Sequence, residues 1–203
     1  MANIKFEDII EFWFSDSLDS PESARNRSKF WYVSKSVTDD EIRTQFGPVL
    51  EAAHNGLISD WEASPEGALA LVILLDQFSR NIYRGDAKAY SGDELALAIA
   101  KRAVQSGFDQ DLPGLQRLFL YHPLHHSEQI SDQEKAVALF QNVEDQSPED
   151  WREFLHGFTK FAIHHKDVVT RFGRFPHRNK ILHRRNTKEE QAYLDGGASS
   201  YGQ

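Results

Sequence analysis

One stretch constrains this chain more than any other. Ser64-Pro65-Glu66 supplies a helix cap, a proline suited to the first helical position and an acid for the helix dipole. The sequence that follows, GALALVILLDQFSRNIYRG, is apolar on every side and then turns abruptly polar. A helix without a polar face needs protein all round it, so other helices must surround this one. Its apolar run, Ala68 to Leu75, is eight residues long, far short of the roughly 20 that span a bilayer. We therefore expect a central core helix in a soluble, cytoplasmic protein that makes no membrane contact. The N-terminus, MANIKFEDIIEFWF, carries acids where a secretory signal would be positive, so no targeting segment is expected.

The other segments carry helical signals. Phe6, Ile9, Ile10, Trp13 and Phe14 recur at spacings of three and four, one apolar helix face. Ser20-Pro21 reads as a break, and KFWYV (Lys29 to Val33) as the end of a short helix or a loop on the core. Thr38 and Glu41 form a capping box, opening a helix to Phe46 that Gly47-Pro48 punctuates; another short helix ends near Gly56. Helices are also expected from Ser91-Gly92-Asp93-Glu94 to Gly107, over Leu112 to Tyr121, from the Ser131/Glu134 box to Phe140, and from Ser147-Pro148-Glu149 to Gly173. Gly173 sits where a left-handed C′ residue belongs. Thr187 and Glu190 cap a last short helix. No alternating strand pattern of useful length occurs, so the expected class is all-α, about eight helices joined by short loops. Residues 1–195 should form a single helical domain and 196–203, GGASSYGQ, a solvated flexible tail.

Composition excludes several chemistries. There is no cysteine, which removes disulfides, thiolate nucleophiles and Cys-ligated metals and leans toward a reducing cytosol. The chain also lacks a G-x-S-x-G elbow, a phosphate-cradling glycine loop and a dinucleotide fingerprint. Its net charge is −8, which disfavours nucleic acid unless basic residues cluster. They do cluster once. Arg171, Arg174, Arg178, Lys180, Arg184 and Arg185 lie in a stretch with no acid, leaving 17 basic and 31 acidic residues elsewhere. Guanidinium groups grip carboxylate or phosphate through paired bonds, although basic residues after a helix can also simply offset its dipole or pair with internal acids.

Three further groups are hard to explain as surface decoration. The central helix ends in Asp76-Gln77-Phe78-Ser79-Arg80-Asn81, where Asp76 and Arg80 can pair at i, i+4. Burying these side chains without partners would cost about 1–3 kcal/mol each, so this end emerges at the surface or lines a polar cavity. Tyr121 to Glu128 reads YHPLHHSE. Its histidines invite a metal reading, but the spacing is no recognised one and Pro123 is expected to interrupt the helix, so no metal and no cofactor are assigned. Finally, His165 falls in the apolar stripe of the longest helix, near the arginines, where a half-buried imidazole would stay neutral and available as a base.

Taken together, LDQFSRNIYRG (Leu75–Gly85), FLYHPLHHSE (Phe119–Glu128) with SDQEKAVALF after it, and HKDVVTRFGRFPHRNKIL (His165–Leu182) followed by NTKEEQAYL resemble the bacterial domain of unknown function family numbered 924. RFGRFPHRN is the most specific piece. The resemblance implies antiparallel helix pairs stacked as a tetratricopeptide-like, right-handed helical array, and it brings no activity with it. Against the family pattern, His125 stands where an apolar residue is more usual, and His183-Arg184-Arg185-Asn186 where a Leu-Gly-Arg-Glu-like stretch is.

The residues support three readings. In the first, Arg80, Asn81, His126, Glu128, His165, Arg171, Arg174, His177, Arg178 and Asn179 converge on a small phosphate- or carboxylate-bearing ligand, with Glu128 or His165 handling a proton if chemistry occurs. In the second, the helices form a scaffold that holds a peptide carboxylate without catalysis. The third has the Arg171–Arg185 segment binding RNA, which the overall charge opposes. The sequence does not set the oligomeric state.

Overall fold

The structure, a computed structural model, describes residues 4–33 and 36–197. Among these there is no strand. The helices are α1 (Phe6–Phe14), α2 (Pro21–Tyr32), α3 (Ser36–His54), α4 (Pro65–Val72), α5 (Ser79–Ile82), α6 (Asp93–Gln105), α7 (Gly114–His126), α8 (Ile130–Gln146), α9 (Glu149–Phe172) and α10 (Lys188–Asp195). A π-helical stretch, Ile73–Phe78, joins α4 to α5 and makes them one rod. The all-α class is therefore as the sequence implies. The part of the expected C-terminal tail from 198 to 203 lies outside the described residues.

The rod is central for the reason its composition dictates. Every residue from Gly67 to Ser79 is buried. Helices α1, α6 and α7 pack on α4, while α3 packs on the π stretch and α5. Helix α7 is nearly as enclosed, with Leu115 through His125 all buried, and it is bounded by α4, α6, α8 and α9. Aromatic rings fill the space between these layers edge to face: Trp13 and Phe14 meet Phe119 with centroids 5.7 and 5.3 Å apart, a geometry that adds about 0.5–1.5 kcal/mol per pair beyond area burial. A smaller cluster of Val168, Val169 and Phe175, with Phe172 and Tyr193 against it, seats the C-terminal segment on the end of α9.

Several boundaries differ from the sequence reading. Ser20-Pro21 does more than break the chain: Ser20 accepts from the Ser23 amide and Pro21 opens α2, so KFWY is the end of that helix. Helix α3 runs unbroken through Gly47-Pro48, and Thr38 lies inside it rather than capping it. Helix α7 likewise continues through Pro123 to His126. An interior proline costs a helix about 3 kcal/mol, and in α7 burial on nearly all sides outweighs that. Helix α8 starts at Ile130, with Gln129 at the N-cap position making no side-chain cap bond, so Ser131 sits in its first turn. It runs on to Gln146, past the expected end at Phe140, and α9 has Pro148 rather than Ser147 at its N-cap position. Three other signals hold. Ser64 accepts from Gly67, Gly173 takes the left-handed conformation at φ 69°, and Thr187 and Glu190 complete a reciprocal capping box.

Candidate functional site

A cavity of about 580 Å³ opens where five parts of the chain meet. Helix α2 contributes Trp31 and Tyr32; the π stretch and α5 contribute Gln77, Arg80 and Asn81; the end of α7 contributes His122, His125 and His126. Helix α9 adds Phe154, Phe158, Phe161 and His165, and the segment after it adds His177 and Arg178. Arg84 and Tyr90 complete the wall. The lining combines aromatic rings with charged and polar groups.

The π stretch builds the charged part of the lining. The Ser79 amide donates to the Leu74 carbonyl five residues back, so this turn holds more residues than an α turn, a feature that often marks a functional site. Asp76 is fully buried there. It accepts from Gln77 Nε2, and its Oδ1 takes Arg80 Nη1 at 2.8 Å and the Nδ1–H of His126 at 2.7 Å. Arg80 also grips Asp93 through two bonds, 3.0 and 3.1 Å. Burial alone would lower the Arg80 pKa, but Asp76 and Asp93 outweigh it and hold the group firmly charged. Asp93 reaches this point because Gly92 lies against the rod: a Cβ on Gly92 would stand 2.3 Å from the Leu75 carbonyl oxygen. On the far side, Arg84 and Asn81 both donate to Asp39 of α3, which drives the Asp39 pKa down against the effect of burial.

Arg178 differs from its neighbours. Its side chain is only 8% exposed, and its nearest carboxylate oxygen is Asp93 Oδ2 at 3.5 Å. The guanidinium donates no hydrogen bond among the described residues, and its Nε is buried without a partner. It stacks between Phe175 and Tyr90, 4.6 and 4.9 Å from the ring centroids, and burial lowers its pKa. The Tyr90 hydroxyl beside it is also buried and unpartnered.

The imidazoles are all held neutral. His122 Nδ1–H donates to the Leu118 carbonyl and His165 Nδ1–H to the Phe161 carbonyl, 2.7 and 2.8 Å. Because a carbonyl can only accept, these bonds fix the tautomer and leave Nε2 as the basic nitrogen. Asp76 fixes His126 in the same way. Burial depresses every one of these pKa values: His122 falls below its ordinary value, His125 and His126 well below, and His165 and His177 to about 3, the neighbouring arginines adding to the effect. His125 stacks on His165 with centroids 4.7 Å apart, and both its ring nitrogens are buried without partners. No group of three or more His, Asp or Glu placed to hold a metal ion occurs among the described residues.

Of the residues singled out in the sequence, the cavity gathers Arg80, Asn81, His126, His165, His177 and Arg178. Glu128, Arg171, Arg174 and Asn179 stand off its wall, each engaged elsewhere. Glu128 takes Arg184 through two bonds of 2.6 and 2.9 Å and the Phe175 amide at 2.8 Å, and Arg184 lowers its pKa against the effect of burial. Arg174 grips Glu190 at 2.6 and 2.9 Å, which brings that carboxyl down to about 2. Arg171 pairs with Glu189 at 2.9 Å. Asn179 is fully buried and bonded to Arg184 and Asn186. The proposed polyanion stripe is thus largely neutralised by the chain's own acids.

Sequence reasoning misses Tyr90, Asp93 and the aromatic lining, and takes His122 and His125 only as members of a metal-like run. One signal was present: His122 and His126 are four apart, which puts both on one helix face, and only the assumption that Pro123 ended the helix hid it.

Comparison with known proteins agrees with this architecture. A solved structure, "Structure of Protein of Unknown Function ATU0120 from Agrobacterium tumefaciens", matches with TM-score 0.78 and 36% identity over 95% of this chain and 97% of that one. No curated protein matches. The model of one family, "Bacterial protein of unknown function (DUF924)", matches residues 9–198. With nearly its whole length inside that match, the chain belongs to the DUF924 family.

Proposed function

We propose that this protein binds a small carboxylate- or phosphate-bearing molecule in the cavity, with the anionic group on Arg178. The observation that carries the reading is the state of that guanidinium: nearly buried, on the cavity wall, and without a hydrogen bond among the described residues. A buried charge left so poorly partnered costs several kcal/mol. Arg80 and Arg84, by contrast, already hold bidentate carboxylate contacts. A ligand anion would supply the bonds Arg178 lacks, and the aromatic lining would cover its apolar body. Within this reading His126 is the group placed to move a proton. Asp76 orients it and keeps Nε2 unprotonated, the role a carboxylate plays toward histidine in acid–base sites generally. His165 lies on the same wall, whereas Glu128 is committed to Arg184 and acts in this reading as a brace for the segment that carries Arg178. The absence of cysteine is in keeping with a cytoplasmic protein.

Thermal unfolding in the presence of a panel of carboxylates and phosphates tests this. A ligand at 100 times its Kd stabilises by about 2.7 kcal/mol, which for a chain of this size raises Tm by roughly 5–10 °C. Arg178→Met should fold and show no such rise. If no anion shifts the parent protein, or if Arg178→Met responds as the parent does, the reading fails.

A further inference from the structure

The wall of the cavity restricts the ligand further, given the anion reading above. Its charges balance. Arg80, Arg84 and Arg178 face Asp39, Asp76 and Asp93, and the imidazoles are neutral. One negative charge can be met by Arg178, whose nearest carboxylate oxygen, Asp93 Oδ2, stands 3.5 Å away. A second has nothing to offset it, and an unpaired charge in a desolvated site is expensive. This favours a carboxylate over a dianionic phosphate.

The hydrogen-bonding capacity of the wall is lopsided. His122 and His126 have spent their Nδ1–H donors on the Leu118 carbonyl and Asp76. Gln77 and Asn81 have each spent one amide N–H, on Asp76 and Asp39. What remains on these four residues is four acceptors, two Nε2 lone pairs and two amide oxygens, against one spare N–H on each amide. The same cavity is lined by flat rings, Trp31 and Phe158 among them, with Phe158 6.4 Å from His122 between centroids. A ligand that brought only acceptors could meet the two spare amide N–H groups but would leave the imidazole lone pairs and amide oxygens unpaired, at about 1–3 kcal/mol for each buried group.

We infer that the cavity takes a planar aromatic monocarboxylate that also carries an N–H or O–H donor on its ring system. The carboxylate meets Arg178, the ring lies among the aromatic side chains, and the donor reaches the histidine and amide acceptors.

The test uses matched pairs on the full-length protein: indole-3-propionate against 1-methylindole-3-propionate, 4-hydroxyphenylacetate against 4-methoxyphenylacetate, with phenyl phosphate as the dianion. Calorimetric titration should show the donor-bearing member of at least one pair binding tenfold or more tightly than its methylated partner, and more tightly than phenyl phosphate. His122→Phe, which keeps a flat ring and removes the acceptor, should shrink that discrimination; Gln77→Leu is a second variant should the first fail to fold. Methylated partners that bind as tightly as the parents, or phenyl phosphate that binds tightest, would overturn this inference while leaving an anion site at Arg178 standing. No binding by any carboxylate or phosphate would overturn both.

Discussion

Arginines that lie a few residues apart in sequence behave in opposite ways. At the C-terminal clasp, Arg174 and Arg184 each hold a glutamate with two bonds and add a backbone carbonyl, Arg185 and Phe175 respectively. At the cavity, Arg178 is more deeply buried than either and forms none of these bonds. The same residue type thus closes the fold in one place and stays uncommitted in the other. Residue type and clustering do not mark a site; unfilled bonding capacity does.

Acid should break the two regions apart, and this is the largest effect expected. His165 and His177 titrate near 3, chiefly because they are buried, while in an unfolded chain they would take protons near 6.5. Between those values the unfolded state binds more protons, so stability falls as pH falls. At pH 5 the loss is about 2 kcal/mol per imidazole relative to pH 8. Glu190 has the other lowered pKa, about 2 because of Arg174. Its contribution is complete above about 4.5 and fades only as pH drops toward 2. Urea unfolding followed from pH 8 to pH 5 should therefore weaken through the cavity histidines while the clasp stays intact, and His165→Phe should flatten the profile. A midpoint unchanged across that range would contradict the neutral-histidine assignment.

Substitution sharpens the contrast next. Arg174→Ala strands a carboxylate on Glu190 that is only 1% exposed and should cost about 2–3 kcal/mol. Arg178→Met removes a guanidinium that has no hydrogen bonds to lose and should change stability by about 1 kcal/mol or less, or raise it. Anion binding should follow the reverse order, kept in the first variant and lost in the second. Equal destabilisation by both would dissolve the distinction. The smallest effect belongs to Arg171→Ala. Its pair with Glu189 is 54% and 62% exposed, so chemical denaturation should report less than about 0.5 kcal/mol.

How far the sequence shows these regions depends on which contacts are local. The core rod was legible because Ala68 to Leu75 leaves no polar face, and most helix ends because caps such as Ser64 and Thr187 act within three residues. The polar end of the rod was legible as an anomaly, since Asp76, Gln77, Arg80 and Asn81 could not all enter hydrocarbon unpaired. Which arginines were committed was not legible. Glu128 meets Arg184 across 56 residues and Asp76 meets His126 across 50, and no pattern along the chain encodes such pairings. Pro123 misled because the rule against interior prolines describes an exposed helix, and α7 is enclosed.

The widened turn at Ile73–Phe78 has an evolutionary corollary. Each residue advances a helix by about 100°, so losing one residue there would swing Arg80 and Asn81 a quarter-turn or more away from their present aim. The hydrocarbon-facing half of the rod, Gly67 to Val72, would keep its register. Packing and recognition are therefore divided between two halves of one helix, and lineages could trade the second without renegotiating the first.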